Sequence, residues 1–173
     1  MTYCYSNDGF SMRAVDASYV PEAGEVVFQG QATEAQLVTA FPNRQGIEAT
    51  SLYNALYGQV NAKTEVLIGN GAAFTNSKGE KGIIHCDGMA QTNALSFAIN
   101  QAAIIALGGT WDNDFDIPFA TTADVTAYCT AIQTCVATRR AEGKNLRETL
   151  VQASGETTAA WLARLQAFQD TRS

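Results

Sequence analysis

At Asp87 the apolar pattern of this chain changes period, and that change limits the fold more than any other feature. Before it, apolar residues come in short runs bounded by turn signals. After it, Met89, Leu95, Ile99, Ala102, Ala103 and Ala106 recur at i, i+3, i+4 and i+7 spacing. The chain therefore reads as α+β: an N-terminal β-rich region and a β-hairpin, followed by an α-helical C-terminal unit with a short inserted hairpin. The expected boundary falls near residue 60, giving a β-rich domain over 1–60 and a hairpin-plus-helical domain over 61–173.

In the first part, "TYCYSNDGF" alternates aromatics (Tyr3, Tyr5) and then turns at Asn7-Asp8-Gly9, with "SMRAV" as the return strand. "EVVFQG" is a third short strand ending at Gly30, after punctuation by Pro21 and Gly24. "TEAQLVTAF" predicts a helix of about two turns, capped by Thr33 and stopped before Pro42. "NRQGIEATSLYNALYGQV" reads as a linker with a helical turn, because Gly58 and the tyrosines weaken the helical spacing of Leu52, Ala55, Leu56 and Val60. "TEVLIG" then carries strand residues. "AAFTNSKGEKGIIHCD" reads as a hairpin around Ser77-Lys78-Gly79-Glu80 whose small sheet needs something to pack against.

Asp87 is a good N-cap for the helix that follows, which Gly108-Gly109 ends. "TWDNDFDIPFAT" is a β excursion built on Trp111, Phe115, Ile117 and Phe119. Thr121 and Asp124 form a capping box that opens a helix to about Arg140, where Arg139 and Arg140 suit the helix dipole. Gly143 is expected to break that helix, with Leu146, Leu150 and Val151 in a shorter one. Thr157 or Thr158 starts the last helix, which carries Trp161, Leu162, Leu165 and Phe168 on one face.

Composition narrows the function classes. A formal net charge of −6 repels phosphate backbones, which argues against nucleic acid as the main partner. An apolar fraction of 46% supplies a real core. Charged residues make up only 16%, which suits a surface partly covered by other chains, of its own kind or another. The start "MTYCYSNDGFSMR" lacks a basic, then apolar, signal pattern. The apolar-rich stretch 94–107 is too short and polar to span a bilayer, so a soluble chain made in the cytosol is expected, without a membrane partner.

Among residues with chemical potential, "HCD" (His85, Cys86, Asp87) stands out, since it holds the only histidine. Strand alternation sends His85 and Cys86 to opposite faces, which argues against a Cys–His catalytic pair, while His85 and Asp87 share a face. No ligand spacing for zinc is present. The expected roles are a buried Cys86 and a helix-capping Asp87, with a hydrolase centred on His85 and Cys86 as the rival. Asp112, Asp114 and Asp116 alternate as in a calcium loop, but Ile117 and Ala123 stand where that loop needs glycine and glutamate. Gly69-Asn70-Gly71 lacks the lysine and spacing of a phosphate loop. Cys129 and Cys135, six apart on a helix, are rotated by about 240° and cannot pair within it. Free, mostly buried thiols are expected for them and for Cys4 and Cys86, a long-range disulfide staying open. No catalytic, metal or cofactor-binding set is assigned, and no cofactor is expected. Trp111, Phe115, Phe119, Trp161 and Phe168 read as core, with Trp111, Phe115 and Phe119 the candidates for an exposed partner contact.

Two stretches resemble known families. "YCYSNDGFSMRAVDASYVPEAGEVVFQGQATEAQLVTAFP" is similar to the start of phage tail fibre assembly and tail-associated proteins, with a Tyr-rich strand, a "GF" turn and a "GEVxF" strand. "IIHCDGMAQTNALSFAINQAAI" and the following segment to "VATR" resemble an uncharacterised domain that recurs in phage tail proteins, with Asp87, Trp111, Thr121 and Asp124 at its marker positions. The resemblance covers roughly 1–42 and 83–140. It implies a bacteriophage tail protein acting by protein–protein contact, either a structural subunit or a fibre assembly factor (chaperone). Its implied partners are the tail fibre or other tail proteins, in the virion tail or in the host cytoplasm during assembly. A host-receptor-binding module, with the aromatic hairpin as its contact, is the alternative.

Overall fold

The computed structural model describes residues 1–111 and 117–173, so the expected row Asp112, Asp114, Asp116 and the candidate contact Phe115 lie outside the described residues. The fold is α+β. Its described elements begin with β1 (Thr2–Ser6), β2 (Ser11–Val15), β3 (Val26–Gln29), α1 (Glu34–Ala40), α2 (Arg44–Gly69), β4 (Ala72–Thr75) and β5 (Lys81–Ile84). They continue with α3 (Gly88–Ile99), α4 (Gln101–Ala106), α5 (Thr122–Leu150) and α6 (Thr158–Gln166). The chain divides into two compact units: Met1–Leu56 with Leu150–Gln169, and Tyr57–Thr149 with Asp170–Ser173.

In the first unit, β1 is the middle strand of an antiparallel sheet in the order β2-β1-β3. Asn7 and Asp8 both take φ of 52° and Gly9 takes 78°, which lets the chain reverse between β1 and β2. Tyr3 faces Ala14 on one side and Phe28 on the other. Tyr5 meets Phe28 edge-on at 5.7 Å, and its hydroxyl accepts the Ala32 N–H at 3.0 Å. Leu37 and Phe41 close this small core. The helix α1 starts as its sequence predicts: Thr33 Oγ1 accepts from Gln36 N–H while the Gln36 side chain accepts from Thr33 N–H. Helix α6, capped by Thr157, belongs with this unit and not with a C-terminal domain beginning at 61. The reason is packing: Trp161 lies against Tyr53 at 6.0 Å, and its Nε1 donates to Leu150 O at 2.8 Å.

Two sequence expectations fail on long helices. The presumed linker and the presumed strand "TEVLIG" are one helix, α2. Its buried positions Ala49, Leu56, Val60, Thr64 and Leu67 form a single helical stripe that outweighs the local cost of Gly58 and the β-branched residues. Gly143 does not break α5 either, and Leu146 and Leu150 belong to that helix while Val151 follows its end. A Cβ at residue 143 would overlap Thr64 Oγ1, so this glycine admits a neighbouring side chain. The unit boundary accordingly falls inside helices, after Leu56 in α2 and before Leu150 in α5.

The second unit is built around Ile68, Ile84, Cys86, Val125, Ile132 and Val136, joined by the aromatic rings of Phe74, Phe97, Trp111, Phe119 and Tyr128. Phe74 meets Trp111 edge-on at 5.0 Å, and Phe119 meets Tyr128 at 5.2 Å. The hairpin β4–β5 pairs Ala72 with Ile84 and Thr75 with Lys81. Its turn is tied to the start of α5 through Asp124, which is 4% exposed. That carboxylate accepts from Ser77 N–H (2.8 Å), Ser77 Oγ (2.9 Å) and Thr121 N–H (2.9 Å), while Thr121 Oγ1 accepts from Asp124 N–H (3.2 Å). The expected capping box is therefore also a tertiary link.

Burial raises the Asp124 pKa, and the hydrogen bonds from Ser77 and Thr121 lower it by more, leaving it below the ordinary 3.8. A depressed carboxyl stabilises the fold at pH above its unfolded value, and that contribution disappears as the pH falls through its folded value. Asp124→Ala should cost about 2 kcal/mol near neutral pH, since it orphans a cap and a buried turn. In urea titrations the wild-type advantage over Asp124→Ala should shrink below pH 3.8. A pH-independent difference would refute the ionic part of this account.

Candidate functional site

The junction between β5 and α3 carries the residues with the most chemistry. Gly71, at φ 73°, leaves room for the β5 backbone, since a Cβ there would run into Ile84 O. With that approach, Ile84 and Cys86 both enter the core, each 0% exposed, while half-buried His85 between them turns the other way. Burial, helped by the neighbouring thiol of Cys135, pushes the Cys86 pKa up to about 12. Nucleophilic cysteines need the opposite shift and access to substrate, and the position of Cys86 is that of a packing residue. Burial likewise raises the Cys129 thiol, whose Sγ donates to Ala94 O at 3.2 Å. All four cysteines are free thiols; Cys4, Cys86 and Cys129 are buried and Cys135 half-buried. Asp87 caps α3, with Oδ1 accepting from Ala90 N–H at 2.8 Å.

His85 and Asp87 border a small cavity of about 120 Å³, together with Asn93, Thr110, Trp111 and Tyr128. Here the histidine, a carboxylate, an amide, a hydroxyl, an indole and a phenol line the same space. Trp111 is 3% exposed, and its Nε1–H has no hydrogen-bond partner among the described residues. Burial pushes the Tyr128 pKa up to about 12, which keeps its hydroxyl protonated and able to donate. Sequence reasoning singled out His85, Asp87 and Trp111 separately. It missed Asn93 and Thr110 and read Tyr128 only as a helix-face residue, because no local spacing connects residues 85–93 with 110–111 and 128.

The proposed aromatic contact does not hold for the described residues. Trp111 and Phe119 are 3% and 4% exposed, and both rings are engaged in the core. The apolar stripe expected to bury α3 is also reversed. Met89, Leu95 and Ile99 point outward, at 77%, 64% and 82% exposure, while Ala90 and Ala94 turn inward. The helix is apolar on nearly every side, so periodicity could not select its buried face. Small alanines win because they admit α5 closely enough for the Cys129–Ala94 contact. The helix also stops at Asn100, whose N–H donates to Ser96 O, before α4 resumes.

The outcome is an exposed surface of unusual composition. From Gly88 to Trp111 the chain carries no charged side chain. Over that stretch α3, α4 and the residue after them expose Met89, Leu95, Ile99 and Leu107. A broader open groove of about 840 Å³ lies along α5, where Ala127, Ala131 and Thr134 meet Ala72 and Ala73. Its charged pair is Arg139 with Glu142, at 3.2 Å. Among the described residues no cluster of three or more His, Cys, Asp or Glu side chains could hold a metal ion. No helix among them is long and apolar enough to cross a membrane. Comparison with known protein families, curated proteins and solved structures gives no match.

Proposed function

We propose that this chain is a bacteriophage tail component that works through protein–protein contact, as a structural subunit or as a fibre-associated assembly factor. The observation that carries the contact role is the uncharged stretch 88–111, which leaves Met89, Leu95, Ile99 and Leu107 standing in solvent. Charged residues are depleted at the centres of protein interfaces, and large aliphatics exposed on such an uncharged stretch suit a surface that another chain covers. The tail assignment rests on the sequence resemblance. All four of its markers have structural work in this unit: Asp87 caps α3, Trp111 fills the core, Thr121 caps α5, and Asp124 joins the hairpin turn to α5.

Mass spectrometry of purified virions separates the two forms, since a subunit is present at fixed stoichiometry and a transient assembly factor is absent. The double variant Leu95→Glu, Ile99→Glu should keep the wild-type melting temperature, because both side chains are already in water. It should nevertheless lower the yield of infectious particles by on the order of tenfold or more, as a charge introduced into an interface centre does. Full infectivity with this variant would refute the contact role of the face.

A further inference from the structure

We propose that the cavity bordered by His85, Asp87, Asn93, Thr110, Trp111 and Tyr128 binds a primary carboxamide group. The inference stands on this cavity alone and goes beyond the contact face of α3 and α4. Its starting point is Trp111 Nε1–H, buried and without a partner among the described residues, in a side chain that lines the space. Buried indole donors find an acceptor when one fits, and an unmet donor marks a place where one is missing.

The polar lining sets the chemistry of the occupant. Trp111 and Tyr128 each bring a hydrogen that calls for an acceptor oxygen. Asp87 spends Oδ1 on the helix cap, and its Oδ2 accepts no hydrogen bond among the described residues, so it calls for a donor. A carboxamide supplies both, a carbonyl oxygen for the indole and phenol and an N–H for the aspartate. A carboxylate would meet the Asp87 charge and offers no hydrogen to it. A cation would face the hydrogens of Trp111 and Tyr128. Met89, Ala90 and Phe97 complete the lining with apolar surface suited to the carbon attached to the amide. About 120 Å³ holds such a group and exceeds the space of a single water. The group comes either from a free small amide or from an asparagine or glutamine side chain of a partner.

The two tryptophans make the test direct. In a ¹⁵N–¹H spectrum of the full chain, the Trp161 indole is an internal control, because its Nε1 already donates to Leu150 O at 2.8 Å. Acetamide should move the Trp111 indole resonance saturably, with a Kd on the order of 10 mM for so small a ligand, and leave Trp161 in place. Acetate should not. Tyr128→Phe, which keeps the ring and removes the hydroxyl, should weaken the acetamide response several-fold, with the dispersed backbone amide signals of the second unit, unchanged away from residue 128, reporting that this unit is folded. A glutamine tripeptide with capped, N-methylated ends, compared with its glutamate counterpart, distinguishes the sources. Response to the glutamine peptide assigns a partner side chain, and response to acetamide alone assigns a free amide. A Trp111 resonance unmoved by acetamide and peptide shows a cavity filled by water or a donor already engaged, and overturns the proposal. So does an equal response to acetate.

Discussion

Gly143→Leu is expected to lower stability by about 3 kcal/mol, a fall in melting temperature of roughly 6–12 °C for a chain of this size. A Cβ at this position overlaps Thr64 Oγ1 and comes within 3.3 Å of both Thr64 Cγ2 and Arg172 Nη1. Thr64 is not free to turn away. Its hydroxyl donates to Val60 O at 2.7 Å and accepts from Arg172 Nη1 at 2.8 Å. The same guanidinium donates to Val60 O through Nη2 and is held by Asp170 at 2.6 Å. Any side chain at 143 therefore displaces a hydrogen-bonded cluster in which Thr64 is 3% exposed. Helix propensity works in the other direction, since leucine is better than glycine in a helix by about 0.8 kcal/mol. A net loss thus isolates the steric cost. The double variant Gly143→Ala, Thr64→Ala should recover most of the stability lost in Gly143→Ala, because the overlapping atoms are gone. A Gly143→Leu chain as stable as wild type would show that α5 and α2 do not approach each other as described.

Ile132→Ala should cost about 3–4 kcal/mol, comparable to the first substitution but by the opposite fault, a void in place of a clash. Ile132 is 0% exposed and sits in the core cluster with Ile84, Cys86, Ala94, Val125 and Val136. The same cluster holds Trp111, Phe119 and Tyr128, large rigid rings that cannot readily move in to fill the void. The urea midpoint should fall with the slope m unchanged. Thiol labelling gives an independent readout. In the wild type Cys135 reacts first, being half-buried, while Cys86 and Cys129 are shielded. In Ile132→Ala those two should label faster through more frequent opening of the second unit. Leu95→Ala, at a residue 64% exposed, should change stability by less than about 0.5 kcal/mol. Similar losses from both substitutions would put the core on the wrong face of α3.

How legible the fold was depends on the range of the interaction concerned. Thr33, Asp87, Thr121 and Thr157 were each readable as helix starts, and each side chain accepts from a backbone N–H three residues on. Hairpin turns at Asn7-Asp8-Gly9 and Ser77-Lys78-Gly79 were readable for the same reason. Glycine inside a helix was not. Gly58 and Gly143 look alike as helix breakers in sequence, yet both lie within helices. At 143 the missing side chain is what lets Thr64 and Arg172 in. The candidate site was half legible. His85 and Asp87 were expected on one face, but their meeting with Thr110, Trp111 and Tyr128 depends on how β5, α3 and α5 pack.

The sequence by itself determined the elements whose signals are local: two hairpins, the capped helix starts, an α+β class and a chain of low charge. Those follow from hydrogen bonds and turn conformations within a few residues. Only the tertiary structure decided the lengths of α2 and α5, the outward face of α3 and the small cavity around Trp111. Each depends on which surface finds a partner of the right shape across a long sequence separation. On α3, where apolar residues lie on most sides of the helix, Ala90 and Ala94 were buried with Phe97 packed beside them, and Met89, Leu95 and Ile99 were left in solvent.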